Sequence, residues 1–374
     1  MGVCHRSVPS SNAVPDFPTT PSSITAAWLG QALAAGGVNA TSLRDVEASR
    51  IGTGLIGDSY RLTLSWDGEV PLGGPTTLVV KLPAEDATSR ATGVGLRNYE
   101  REVRFYREIA PTMGIRLARS WVAEWDEADG SFVLVLEDLA PAQVGDQLRG
   151  CSVPEADAVI DTAAPMHAAH WDRPELGEYA SWMSGPADDE RAGQLALLWS
   201  FAWPQFVERH EPRLTPHARE LGERFGSSIE SWVQDRARPF TVVHGDFRTD
   251  NMLFGGTADQ PTVVPVDWQT PAIGPGVGDV AYFIGASLLP DVRRAHEERL
   301  VRRWFDGLVA AGVRDYAWAT CWRDYRKMTF SGALMGVAAS MLTPQTPRGD
   351  DMFFAMTSRH LDQAADLDAA DLLS

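Results

Sequence analysis

The stretch Val243-His244-Gly245-Asp246-Phe247-Arg248-Thr249-Asp250-Asn251-Met252-Leu253-Phe254 decides the reading of this chain. A short β-branched run, Phe240 to Val243, leads into a polar turn, and an apolar run follows it. Met252 to Phe254 and Val263 to Trp268 flank a Gly-Gly turn and read as a hairpin, which carries Asp267 back toward the turn. Phosphoryl transfer from ATP needs one carboxylate to accept or orient the proton of the attacking hydroxyl. It also needs a carboxylate and an amide oxygen to hold Mg²⁺ against the phosphates. Asp246 suits the first role, and Asn251 and Asp267 suit the second. The plain alternative is a polar turn, since Gly, Asp and Asn all favour turns. The Asp-x4-Asn spacing with a following strand-borne Asp tips the balance toward catalysis. A hydrolase reading, with His244 and Asp246 as metal ligands, needs a second ligand pair, and none stands at ligand spacing.

Upstream, Leu78-Val79-Val80-Lys81-Leu82 is an apolar strand with one lysine. Residues 98–109 form a helical pattern in which Tyr99, Val103, Phe105, Tyr106 and Ile109 share an arc, with Glu102 inside it. A carboxylate on an apolar face is costly unless paired. Lys81 is the expected partner, and from there it would reach the α- and β-phosphates. Gly52-Thr53-Gly54-Leu55-Ile56-Gly57 lies between two strands. A dinucleotide-binding turn would open a helix instead. Strand–glycine loop–strand suits backbone N–H groups laid over ATP phosphates, although Asp58 crowds that position and a plain hairpin turn is the alternative.

The rest of the chain sets the frame. It has 374 residues, 44% of them hydrophobic, and a formal net charge of −17. That acidity speaks against nucleic acid as a partner. Cys4, Cys151 and Cys321 show no metal-ligand spacing, and their odd count argues against a disulfide framework, which points to a reducing, cytoplasmic setting. Met328 to Pro347 is free of charge up to its end but broken by Gly and Pro, so a buried helix fits better than a membrane span. Further expectations are a helix over 23–35 and strands over 46–51, 60–66, 77–82 and 132–136. A helix with Asp279 as its N-cap should follow the hairpin. Pro165 should kink the helical run from Pro154 to Trp171. The expected fold is α+β and two-lobed, like that of protein kinases. A flexible tail spans 1–20, a nucleotide-binding N-lobe with an antiparallel sheet 21–138, and a larger, mainly helical C-lobe 139–374.

The catalytic stretch resembles that of the aminoglycoside phosphotransferase and choline kinase superfamily. Val266-Asp267-Trp268-Gln269 and Gly278-Asp279-Val280-Ala281-Tyr282-Phe283 look like its metal-binding and structural segment. Glu102-x-x-Phe105-Tyr106, Leu136-Glu137-Asp138-Leu139 and His167-x-x-x-Trp171 are similar to the ecdysteroid-kinase-like (CHK-like) branch. The resemblance covers roughly residues 23–340. It implies ATP and Mg²⁺ as cofactors, Asp246 as base, and Asn251 and Asp267 as metal ligands. It also implies Lys81 with Glu102 as phosphate anchor, the backbone of Glu137, Asp138 and Leu139 around adenine, and Asp279 as a brace for the catalytic loop. The acceptor would be a small-molecule alcohol: a ring-bearing apolar one first, then an aminoglycoside- or choline-like one. Trp171, Trp182, Trp199, Trp203, Trp232, Trp304, Trp318 and Trp322 read first as core, some of them as acceptor-pocket walls. His167 reads as a packed core histidine, and Asp188-Asp189-Glu190 as a solvated loop or helix start. The alternative function, a catalytically silent nucleotide-binding regulator, sits poorly with the presence of Lys81, Glu102, Asp246, Asn251 and Asp267 together.

Overall fold

The computed structural model describes residues 17–52, 56–185, 189–235, 238–343 and 345–373. Most of the expected N-terminal tail, with Cys4, as well as Gly54 and Asp188, lies outside the described residues. The chain divides into two compact units, one ending at Asp138 and one beginning at Leu139, with Ile109–Leu117 belonging to the second.

The first unit is built on alternation. α1 (Ala26–Ala35) starts at Ala26 rather than at residue 23, because the Thr25 hydroxyl accepts the Trp28 N–H at 3.2 Å and Pro21–Ser23 forms a separate 3₁₀ turn. Strands β1 (Leu43–Ile51), β2 (Gly57–Trp66) and β3 (Thr77–Pro83) follow. After them come α2 (Ala87–Gly95), α3 (Asn98–Arg104), β4 (Ser120–Trp125) and β5 (Phe132–Glu137). Among the described residues the strands form one sheet in the order β1-β2-β3-β5-β4, every neighbouring pair antiparallel. Tyr60, Leu62, Leu64, Leu78, Val80, Val133 and Val135 pack with Leu29 and Leu33 of α1. Residues one step out of phase, Lys81 among them, therefore point to the other face. α3 gives way at Phe105 to a π turn through Ile109, yet Phe105, Tyr106 and Ile109 stay buried as the helical arc requires. The sequence carried no signal for α2, whose run Ala-Thr-Ser-Arg-Ala-Thr-Gly has little apolar content. Nor did it for β4, which is half-buried without alternation.

The second unit is mainly helical. It contains β6 (Gln143–Val144), α4 (Val153–Ala168), α5 (Leu176–Tyr179), α6 (Asp189–His210), α7 (Pro216–Gly226) and α8 (Ile229–Gln234). β7 (Thr241–Val243), β8 (Met252–Gly256), β9 (Pro261–Pro265) and β10 (Ala272–Gly274) come next. α9 (Val277–Ser287), α10 (Pro290–Ala310), α11 (Trp318–Leu342) and α12 (Pro347–Asp366) complete it. β8 and β9 form the expected hairpin, and β6 adds to its β8 edge. α4 runs through Pro165 without ending there and delivers His167 into the interior. Asp189 and Glu190 open α6. Trp182, Trp199, Trp203, Trp232 and Trp304 are buried, with Trp199 stacked on Trp203 at 5.0 Å, so they are core. Trp171, Trp318 and Trp322 are half-buried. The apolar stretch from Met328 lies in α11, and among the described residues no helix is long and apolar enough to cross a membrane. Cys151 and Cys321 are free and buried. All eleven residues of α9 are buried, so this helix is enclosed on every side. Polar side chains on such a helix must find partners, and theirs lie in the loop after β7.

Candidate active site

In the first unit, Lys81 sits on β3, between β2 and β5. Its Nζ lies 2.6 Å from Glu102 Oε1, with side-chain exposures of 12% and 1%. The start of β2 and the residue before it are held by side chains of the same unit. Asp58 accepts from the Arg50 guanidinium, and its Oδ2 accepts the Glu85 N–H at 2.8 Å. The Tyr99 hydroxyl donates to the Ile56 carbonyl and accepts the Ala84 N–H. The Asp58 carboxylate, which the sequence placed awkwardly near phosphates, is thus occupied within the unit. Gly52 has a φ of +69°, as its turn requires, and Gly57 is the first residue of β2. Glu137 ends β5, and its side chain accepts the Arg119 N–H at 3.1 Å. Asp138 holds Arg61 at 2.6 Å. In the second unit, the Leu139 carbonyl accepts from Ala142 N at 3.0 Å.

The candidate catalytic loop leaves β7 at His244. Gly245 has a φ of +80°, and a Cβ there would stand 2.3 Å from the Thr270 carbonyl oxygen, so glycine is required twice over. Asp279 is not an N-cap. It is the third residue of α9, whose N-cap is Gly276. Its carboxylate turns outward to accept His244 N–H at 2.7 Å and Gly245 N–H at 3.1 Å. It also takes His167 Nε2 at 3.2 Å. Trp304 Nε1, a donor only, reaches His167 Nδ1 at 3.0 Å, so the histidine proton sits on Nε2 and points at Asp279. Asp279 and Tyr282, three apart on one helix, therefore both face the loop.

Four donor contacts converge on Asp246. Arg248 Nε lies 2.9 and 3.1 Å from its two oxygens, Tyr282 Oη donates to Oδ1 at 2.9 Å, and Asn251 Nδ2 donates to Oδ2 at 2.8 Å. Burial and the charge of Asp246 hold the Tyr282 phenol well above its usual range, so it stays a donor. Asn251 Nδ2 also donates to the Asp246 carbonyl at 2.9 Å. Both its N–H groups are used, and no described group reaches its Oδ1. Asp267 lies two residues past the end of β9 rather than on the strand, at a φ of +65°. Its neighbour Val266 donates its N–H to the Asn251 carbonyl at 2.9 Å and accepts from His244 Nε2 at 2.9 Å. Positive φ is strained for a residue with a Cβ, and Asp is among the types that tolerate it. These bonds tie the segment bearing Asp267 to the backbone of Asn251.

Among the described residues no three His, Cys, Asp or Glu side chains form a metal cluster. An unpartnered amide oxygen and one carboxylate suit Mg²⁺, which keeps most of its shell for water and phosphate oxygens. The sequence reading gave no role to Arg248 or Tyr282. The alternation Asp246-x-Arg248-x-Asp250 was a visible hint for the first. The spacing of Tyr282 from Asp279 becomes a hint only once the helix is known to be enclosed.

Three solved structures share the protein-kinase-like fold. A candidate aminoglycoside phosphotransferase from Ralstonia eutropha aligns at a TM-score of 0.55 and 16% identity, covering 93% of this chain and 98% of its own. Macrolide 2′-phosphotransferase MphH from Brachybacterium faecium aligns at 0.50 and 14%, covering 88% and 97%. A GDP complex of a point variant of aminoglycoside 2′-phosphotransferase IIIa aligns at 0.50 and 16%, covering 88% and 95%. No curated protein sequence matches the chain. The profile of the ecdysteroid kinase-like family matches residues 59–313, more than half of the chain. This chain is a member of the ecdysteroid kinase-like family.

Proposed function

We propose that the protein is an ATP-dependent phosphotransferase that moves the γ-phosphoryl group to a hydroxyl of a small molecule. The observation that carries the reading is the second unit's loop, where Asp246, Asn251 and the Asp267 segment are tied together and braced by Asp279. Asp246 would accept or orient the proton of the acceptor hydroxyl, a step worth about 10²- to 10⁴-fold in rate. Asn251 Oδ1 and the Asp267 carboxylate would hold Mg²⁺. When bound, that ion would neutralise charge on the phosphates. Lys81, kept in place by Glu102, would anchor the α- and β-phosphates, with the backbone of Glu137, Asp138 and Leu139 near adenine. Gly52 and Gly57 would lie near the phosphates.

The acceptor is best read as an apolar, ring-bearing alcohol. Carboxylates around the loop are already matched by arginines: Asp246 by Arg248, Asp250 by Arg248 together with Arg348, Asp350 by Arg209, Asp351 by Arg213. A cationic aminoglycoside would find little unspent negative charge there. Apolar surface is close instead. Tyr282 packs with Met352, Phe353 and Met356, and Met352 Sδ lies 3.5 Å from Arg248 Nη1.

The test is ADP release from MgATP across a panel of sterol-like, aminoglycoside and amino-alcohol acceptors. Turnover is expected with the ring-bearing alcohols and its loss in Asp246→Asn. Nucleotide binding without turnover on any acceptor would favour the silent-regulator alternative. Equal turnover in both proteins would remove Asp246 from its role.

A further inference from the structure

Arg248 stands two residues after Asp246 and two before Asp250, and its guanidinium spans both. Nη1 donates to Asp250 Oδ2 at 2.9 Å. Asp250 is itself fixed, since its Oδ1 accepts the Gln147 N–H at 2.8 Å and the Gln147 carbonyl accepts from Arg359 at 2.8 Å. Arg248 is therefore held from the side away from Asp246. Burial opposes its charge, but the carboxylates of Asp246 and Asp250 outweigh that and keep the guanidinium protonated.

A carboxylate offers about four lone-pair sites. On Asp246, Oδ1 receives Tyr282 and Arg248, and Oδ2 receives Asn251 and Arg248. Every site is covered, two of them by the single Nε–H of Arg248. A hydroxyl that gives its proton to Asp246 must displace one donor. Tyr282 is locked on a helix enclosed on all sides, and Asn251 is anchored by its second bond to the Asp246 carbonyl. The Arg248 N–H, spread over two oxygens, makes the weakest contact of the three. Sliding onto one oxygen frees a site on the other while the bond to Asp250 persists.

We propose that Arg248 is a positioning residue for phosphoryl transfer, setting the rotation of the Asp246 carboxylate and yielding one of its oxygens to the acceptor hydroxyl. This rests on the reading of Asp246 as the base. The experiment measures steady-state ADP release from MgATP with water and with cyclohexanol as acceptors. The proteins are wild type, Arg248→Ala, Arg248→Lys, Asp246→Asn and the double variant Asp246→Asn/Arg248→Ala. Misplacing a reacting group by about 1 Å costs up to about 10²-fold, so Arg248→Ala should lower kcat by about 30-fold with KM for MgATP within about twofold. Lysine can reach one carboxylate but not span two, so Arg248→Lys should lose about fivefold. In the Asp246→Asn background, Arg248→Ala should change kcat by less than about twofold, because its effect passes through the missing carboxylate. Wild-type kcat in Arg248→Ala with a slow Asp246→Asn would overturn the proposal and leave the enzyme reading standing. The same loss from Arg248→Ala in both backgrounds would overturn it too, marking a general structural role. An Asp246→Asn protein as fast as wild type, or no ADP release by the wild type, removes the enzyme reading and the proposal with it.

Discussion

The two regions proposed to carry the chemistry are built differently. Lys81 and Glu102 meet as a buried ion pair at 2.6 Å, one residue on an interior strand and one on a helix. The loop around Asp246 is a many-body object. Asp279, His167, Trp304, Tyr282, Arg248, Asn251 and Ser287 all bond to it or to one another, and they come from α4, α9, α10 and the loop itself. A buried ion pair can often be replaced by apolar residues when both members are changed together. A network fails as a unit, because each lost member leaves buried polar groups without partners. The loop is therefore the more fragile region and the less separable one.

The largest expected effect falls on the loop. Asp246→Asn should lower kcat by about 10³-fold, with the melting temperature within a few degrees of wild type. ADP-release kinetics beside a thermal melt checks this, and a kcat loss below tenfold would break the comparison at its centre. Next comes Asp279→Ala. It strips the acceptor from two loop N–H groups and from His167, and should cost about 3 kcal/mol of unfolding free energy by denaturant titration. Combined with His167→Phe, the loss should fall well short of the sum of the singles, and strict additivity would show that the relay is not a unit.

The pair in the first unit should behave oppositely. Lys81→Met leaves Glu102 buried without its lysine, and should cost about 3 kcal/mol while weakening nucleotide binding. Lys81→Met with Glu102→Leu should regain most of that stability but not the binding, measured by denaturant melts and nucleotide titration. A double variant no more stable than the single would show that this pair also belongs to a wider network.

The smallest effect concerns pH. Burial lowers the His360 pKa from its usual 6.5 to about 3. Its ring stacks on Tyr282 at 5.5 Å, which links it to the loop. A depressed histidine is neutral when folded and takes a proton when unfolded. Stability is thus fully present above about pH 6.5 and is lost as pH falls toward 3. Between pH 7 and 5.5 this residue should remove about 1 kcal/mol. Melts at the two pH values should show His360→Gln losing less than wild type, and identical losses would dissociate His360 from the acid response.

Much of this was legible in the chain. Alternation fixed β2 and β3 to within a few residues, and the arc over residues 98–109 put Glu102 on the buried side even though the helix opens into a π turn. β4 and α2 were not legible, since neither has the periodic apolar pattern by which a strand or helix declares its face. The tryptophans were ambiguous because a ring that fills a core and one that lines a pocket share the same spacing. Asp279 was misread as an N-cap because an acid at a helix start usually caps its own helix, while this one braces a loop 34 residues earlier.

The sequence by itself determined which residues are candidates for the chemistry, because a base, an amide oxygen and a second carboxylate at fixed spacing are chemical requirements written locally. The tertiary structure alone decided how Asp246 is held. Arg248, Tyr282 and Asn251 share its two oxygens only after the chain has folded an enclosed helix against the loop. Hydrogen-bond saturation is a property of neighbours in space, and spacing along a chain does not encode it.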